Sequence, residues 1–277
     1  MRRRFYQIDV FGSGPFAGNP LAVVVDAEGL STEQMASFAS WTNLSETTFI
    51  LRPREGADYR VRIFSLDREY PFAGHPTLGS CQAWLSSGGI PKRDDEITQE
   101  CEAGIVSVHR SMDGLAFAAP RLTRAEPVDE PFLARVAGIL QIRREEIVDS
   151  HWLSEWVAVL LRDATAVLAI EPAGGLHGPD LNIGIAGPYP ASCECAFEVR
   201  AFFSDARGEF REDPATGGFN ACLAEWLFAT RRTVFPYIAS QGSRVGRNSR
   251  LSLNRDAHGR VWLGGSTTVY ISGEVDI

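Results

Sequence analysis

The sequence predicts an α+β chain folded as two domains of one architecture. Three observations carry this. Strand-like stretches of period two and helix-like stretches of period 3.6 follow a similar order in both halves. A glycine-opened helix recurs: Gly74-His75 begins a stretch ending in Trp84-Leu85, and Gly217-Gly218 begins one ending in Trp226-Leu227. The two stretches differ by one residue in length, so the repeat is weak, but Gly217 follows Gly74 by 143 residues, close to half of the 277-residue chain. The segment PRLTRAEPVDEP, 120–131, carries three prolines and several charges and reads as a linker. The expected domains are therefore 1–119 and 132–277.

Taken in order, Phe5 to Phe11 is strand-like, and GSGPFAGNP (12–20) is a Gly/Pro loop. LAVVVD (21–26) has the continuous apolar character of a buried strand. In STEQMASFASWTNL (31–44), Ser31 with Gln34 fits a capping box and Leu30 with Met35 a hydrophobic staple. Met35, Phe38 and Ala39 supply the apolar stripe of that helix. TTFIL is strand-like, and YRVRIFS (59–65) alternates as a strand should. Pro76 suits the first turn of a helix that stops at Gly88-Gly89, and strands continue to about Ala119. In the second half, Phe132–Leu140 is helix-like, and 157–161, 166–170 and 196–203 read as strands. REDPATGGFNACLAEWL (211–227) is a polar loop, two glycines and a helix. The C-terminal segment is strand, turn at Asp256–Gly259, then strand, the last packing back on the first domain.

Bulk properties narrow the function classes. At 44% hydrophobic and 22% charged residues the chain has ample core material. Its 27 basic and 35 acidic residues, a net charge of −8, argue against a nucleic-acid partner, which needs clustered positive charge. No run of about 18 apolar residues predicts a membrane span, and no apolar segment follows Arg2–Arg4 as a signal peptide would require. Five cysteines without paired CxxC spacing read as reduced thiols of a cytoplasmic protein. Cys193 and Cys195 invite a metal reading. Their alternation with Glu194 and Ala196 points instead to the inner face of a strand, so no metal is expected.

Several catalytic motifs are absent. Gly12, Gly14 and Gly18 lack the GxGxxG spacing, and no GxxxxGK[ST], HExxH or GxSxG occurs. The helix starts at Gly74 and Gly217 offer something else. Their free backbone N–H groups, at the positive end of the helix dipole, suit a carboxylate, and glycine lets it approach closely. Three ionisable side chains accompany them: His75, Asp213 and Glu46. Singly, each has a plain structural reading, as a satisfied buried histidine, a turn residue before Pro214 and a loop charge. Together, at the mouths of two repeated helices, they form a candidate set for proton transfer at a site where the domains join.

GPFAGNPLAVVVD, NLSETTFI, PFAGHPTLG and EDPATGG, in that order and spacing, with QGSRVGRNSRLSL near the end, resemble the PhzF family of phenazine-biosynthesis isomerases over essentially the whole chain. The resemblance implies two similar diaminopimelate epimerase-like domains, each a β-barrel-like sheet around a central helix, with the active site in the cleft and a homodimer as the assembly. It implies Glu46 as general acid/base, His75 and Asp213 as the substrate-polarising pair, and Asn19, Ser45, Gly74, Gly217 and Gly218 as substrate-binding residues. Burial is expected to raise the Glu46 pKa towards the working pH. The implied reaction removes a proton from C3 of trans-2,3-dihydro-3-hydroxyanthranilate and redelivers it further round the conjugated system, without a cofactor.

One departure matters: the family often has Ser where this chain has Gly218, so one substrate hydrogen bond is in doubt. Racemases of the implied fold use two opposed cysteines at the helix mouths. Here Cys81 and Cys222 lie further inside the helices, so a two-base inversion is not expected. Two alternatives stay open: an isomerase or lyase of the same family acting on another small carboxylate, and a non-catalytic ligand-binding homologue.

Overall fold

Period-two runs become strands in both halves, and the two glycine-opened stretches become the most deeply buried helices. The computed structural model describes residues 1–111 and 114–277, with the side chain of Ser111 also left aside. It divides into two units, Met1–Ala118 with Trp262–Ile277, and Ala119–Val261.

The first unit runs β1 (Arg2–Val10), β2 (Asn19–Val24), α1 (Thr32–Thr42), β3 (Thr47–Leu51), β4 (Tyr59–Phe64), β5 (Glu69–Tyr70), α2 (Gly74–Ser86), β6 (Ile97–Cys101), β7 (Gly104–Ser111) and β8 (Gly114–Ala118). The strands continue to Ala118, and Met112 and Asp113, within that expected stretch, lie outside the described residues. Strand β1 pairs antiparallel with β2, β2 parallel with β3, and β3 antiparallel with β4. Strand β4 then pairs antiparallel with the short β5 at one end and parallel with β6 at the other. Strands β6, β7 and β8 form an antiparallel meander.

The second unit runs β9 (Ala125–Pro127), α3 (Glu130–Leu140), β10 (Ile147–Leu153), β11 (Trp156–Leu161), α4 (Ala164–Leu168), β12 (Asn182–Pro188), β13 (Phe197–Ser204), β14 (Phe210–Asp213), α5 (Gly217–Ala229), β15 (Tyr237–Gln241) and β16 (Ser249–Arg255). Its ladder repeats the first. Strands β10 and β11 are antiparallel, β11 and β12 parallel, β12 and β13 antiparallel. Strand β13 pairs antiparallel with the short β14 and parallel with β15. Two final strands, β17 (Val261–Gly265) and β18 (Thr267–Asp276), pair with β8 and β1 respectively.

Each central helix is buried almost all round, enclosed by its unit. In α2, Gly74 through Cys81 and Ala83 are buried, and β1, β2, β3, β4, β6, β8 and β18 all touch it. In α5, Gly217, Phe219 through Ala224, Trp226 and Leu227 are buried. Inside, Ser80 Oγ of α2 donates to Thr48 Oγ1 at 2.8 Å. Helix α1 instead lies on the outer face of its sheet. Its Met35 and Ala39 join Val24, Phe49 and Phe64 in one cluster, with Leu30 and Phe38 packed against it. Its Ser31–Gln34 capping box is formed in both directions.

The repeat extends to one ion pair. Arg62 on β4 holds Glu69 on β5 through Nε–Oε1 at 2.7 Å and Nη2–Oε2 at 2.6 Å, and lies 5.0 Å over the Phe64 ring. Arg200 on β13 holds Glu212 on β14 in the same two-pronged way, at 3.0 and 2.8 Å, and lies 5.0 Å over Phe202.

Four segments differ from their sequence expectation. The stretch read as a linker carries β9, which pairs with β10, and Asp129, whose carboxylate accepts from Phe132 N–H to cap α3. Residues 166–170, read as a strand, fall in and just beyond α4. Asp163 caps that helix by accepting from Ala166 N–H at 2.8 Å, and a five-residue apolar run has no period long enough to reveal it. The polar loop at 211–216 begins as strand β14. Cys193 is exposed in a turn before β13, and only Cys195 is buried, so the pair does not share an inner face. Among the described residues, no group of three or more His, Cys, Asp or Glu could hold a metal ion, and no helix is long and apolar enough to cross a membrane.

Candidate functional site

The turn that carries Glu46 is fixed at both ends. Helix α1 stops at Asn43, whose φ of 58° is the left-handed conformation that asparagine tolerates. The hydroxyls of Thr42 and Thr47 bond across its base at 2.8 Å. Half-buried Ser45 lies beside Glu46, whose side chain is 17% exposed. His75, in the first turn of α2, is only 4% exposed, and its Nε2 lies 3.5 Å from Glu46 Oε2.

Asn19 completes this group. It opens β2, is wholly buried, and sets Nδ2 3.3 Å from His75 Nδ1. An amide N–H can only donate, so Nδ1 accepts and the ring proton sits on Nε2, facing Glu46. The preceding loop explains why Asn19 lies there. Gly18 N–H donates to both carboxylate oxygens of the buried Asp9, and a Cβ at position 18 would fall 2.1 Å from the Val10 carbonyl oxygen. Only glycine permits that approach.

Burial pushes the His75 pKa down to about 3, so the ring is a neutral N–H donor at ordinary pH. Stability should follow. In the unfolded chain His75 titrates near 6.5, so between that pH and about 3 the unfolded state binds the extra proton and is favoured. The stability advantage of neutral His75 is present above pH 6.5 and is lost as pH falls, at up to about 1.4 kcal/mol per pH unit. Urea unfolding of the wild type and His75→Gln at pH 7 and pH 4 should show the gap between them shrinking by as much as roughly 3 kcal/mol.

In the second unit, β14 ends at Asp213, which is buried. Its Oδ2 accepts from Thr216 Oγ1 at 2.6 Å. Gln241 on β15 locks this loop: its amide donates to Asp213 O and Thr216 Oγ1, and its carbonyl accepts from Thr216 N and Asn220 Nδ2, all at 2.9–3.0 Å. With the Thr216 hydroxyl turned to Asp213, no side chain caps α5; Ala73 likewise gives α2 no side-chain cap. Both helices therefore begin with backbone donors at Gly74-His75 and Gly217-Gly218 that no capping side chain takes up.

A Cβ at Gly218 would meet nothing within 4 Å. Gly218→Ser should therefore fold with its melting temperature unchanged or slightly raised, since serine in a helix is favoured over glycine by a few tenths of a kcal/mol. A substantial drop would show that the space is not free. Burial pushes the thiols of Cys81 and Cys222, inside the two central helices, up to about 12.

Asn19, Ser45, Glu46, Gly74 and His75 thus gather in the first unit, and Asp213, Gly217 and Gly218 in the second. Thr216 and Gln241, which orient Asp213, were not singled out from sequence, although both lie in the quoted segments EDPATGG and QGSRVGRNSRLSL. A buried glutamine that reaches across to a helix leaves no periodic signal.

A family model described as phenazine biosynthesis-like protein, PhzC-PhzF, matches residues 8–274. The chain is 51% identical to a trans-2,3-dihydro-3-hydroxyanthranilate isomerase of Pseudomonas aeruginosa, over 92% of this chain and 91% of the relative. It is 29% identical to an uncharacterised isomerase of Pasteurella multocida, over 98% and 93%. Among solved structures it superposes on a PhzF-family phenazine biosynthesis protein of Bacillus anthracis with a TM-score of 0.82, at 20% identity over the full length of both. A probable proline racemase of Agrobacterium radiobacter gives a TM-score of 0.65 at 13% identity, over 99% of this chain and 93% of that one. The fold is thus the one shared by PhzF proteins and the racemase–epimerase group.

Proposed function

The chain belongs to the PhzC-PhzF family of phenazine biosynthesis-like proteins and is an isomerase, and we propose that Glu46 carries a proton between two carbons of its substrate. The substrate class is a small cyclic carboxylate, most like trans-2,3-dihydro-3-hydroxyanthranilate, on which the 51%-identical relative is named to act. One observation carries the assignment: a partly accessible carboxylate 3.5 Å from a buried, neutral histidine whose proton faces it.

The chemistry follows from that arrangement. A single carboxylate on one face of a conjugated ring can take a proton from one carbon and return it to another. His75 Nε2–H steadies the carboxylate in its anionic form, and once the proton is on Glu46 it can donate to charge developing on the substrate. The uncapped N–H groups at Gly74 suit the substrate's carboxylate. No metal or organic cofactor is required for this step.

The test is a proton NMR time course of trans-2,3-dihydro-3-hydroxyanthranilate with the enzyme in heavy water. Loss of substrate signals with deuterium entering the product supports the reading. Binding without turnover would remove this substrate from the assignment and turn the search to other small carboxylates.

A further inference from the structure

We propose that Tyr70 is a substrate-contacting residue on the Glu46–His75 face of the first unit, its phenol hydroxyl donating to an oxygen of the substrate and helping to decide which carboxylate is accepted. This rests on the isomerase reading above.

Register places Tyr70 on that face. It ends β5 directly opposite Ile63 of β4, which is itself opposite Thr48 of β3. Residues directly opposed across a sheet point to the same side. That side looks at α2, because Thr48 accepts from Ser80 of the helix. Glu46 precedes Thr48 by two residues, the spacing that returns a side chain to the same face, and His75 reaches it from the first turn of α2. The other face, with Phe49 and Phe64, is covered by α1.

The internal repeat gives an independent reason. In the second unit, Asp213 ends β14 opposite Ala201, which is opposite Gly184. That row also looks at its central helix, since a Cβ at Gly184 would lie 2.0 Å from the Phe219 ring. Asp213 stands four residues before Gly217, and Tyr70 four before Gly74. Each follows the glutamate of the repeated ion pair, Glu212 and Glu69. Tyr70 is therefore the first unit's version of the Asp213 position, with a phenol in place of a carboxylate.

Its chemistry suits a donor. Tyr70 is half-buried, and burial, then the charge of Glu46, pushes its hydroxyl up to about 12. It keeps its proton wherever the enzyme works, and it feels the Glu46 carboxylate. A phenol there discriminates by hydrogen bonding: a ligand with a matching oxygen is favoured over one without.

The experiment compares wild type, Tyr70→Phe and Glu46→Gln, all with unchanged melting temperatures. It measures steady-state kinetics with trans-2,3-dihydro-3-hydroxyanthranilate and calorimetric binding of a stable aromatic probe, 3-hydroxyanthranilate. For Tyr70→Phe the expected result is a KM and a probe Kd raised about tenfold to a hundredfold, with kcat within a few-fold. For Glu46→Gln the expected result is the reverse, probe binding kept and turnover lost. Probe binding that depends on Tyr70, with no turnover by the wild type, would overturn the proposed reaction and uphold the contact. Equal KM and Kd for Tyr70→Phe and wild type would overturn the contact while leaving the reaction standing. A wild type that neither binds the probe nor turns over the substrate would overturn both.

Discussion

Glu46→Gln is expected to fold as the wild type does and to lose turnover by about a hundred- to ten-thousand-fold, the usual worth of positioned acid–base catalysis. The amide has the volume of the carboxyl and its oxygen can still face His75 Nε2–H, so the turn held by Thr42 and Thr47 has no reason to move. What disappears is the capacity to take a proton and give it back. The loss should fall on kcat, with KM changed little, because the substrate's polar groups are received elsewhere. Deuterium incorporation from heavy water should vanish together with turnover, since one group is proposed to perform both removal and return. If deuterium still exchanged into the substrate while product formation stopped, two groups would be needed and the single-carrier scheme would fail. A variant turning over like wild type would end the assignment of Glu46.

How legible these features were depended on the kind of physical signal each left. The capping box at Ser31–Gln34 and the enclosed helices at Gly74 and Gly217 were readable because capping and periodicity are local. The short helix at Ala164–Leu168 was not, because five residues span little more than one turn and its decisive feature is a single Asp163 cap. The strands at Asn182–Pro188 and Tyr237–Gln241 escaped for another reason. Gly184 and Gly187 interrupt one, and Ser240 and Gln241 bring polar groups into the other, which is buried there all the same. Their identity as strands is settled by partners far along the chain. At the candidate site, Glu46, His75 and Asp213 were found by motif. The Asn19 bond that sets the His75 tautomer, and the Gln241 network that orients Asp213, come from contacts between residues 56 and 25–28 positions apart that no linear pattern displays.

The repeated ion pair offers a comparison that the fold has already set up. Arg62–Glu69 and Arg200–Glu212 share geometry and the aromatic ring beneath, but not environment. The first pair's side chains are 25% and 27% exposed, the second's 3% and 10%. In the buried pair, Arg200 Nη1 also donates to the carbonyls of Val167 and Ile170 at 3.1 and 2.6 Å, tying β13 to the end of α4. Removing one charge there strands the other in a poor solvent, which costs about 3–5 kcal/mol. In the more open pair, water takes over much of the lost partner's role, and the cost is about 1 kcal/mol or less. Glu212→Gln should therefore lower the urea midpoint sharply and raise amide exchange across β13 and β14, whereas Glu69→Gln should move both little. The double replacement Arg200→Met with Glu212→Leu should recover much of the loss, because two apolar groups leave no buried charge behind. Equal costs for Glu212→Gln and Glu69→Gln would mean that exposure does not set the strength of this pair. The β5 and β14 strands would then be held by something other than the charges that mark them as repeats. Because Tyr70 and Asp213 directly follow the two glutamates, the same pairs of variants also measure how firmly each of these side chains is held in place.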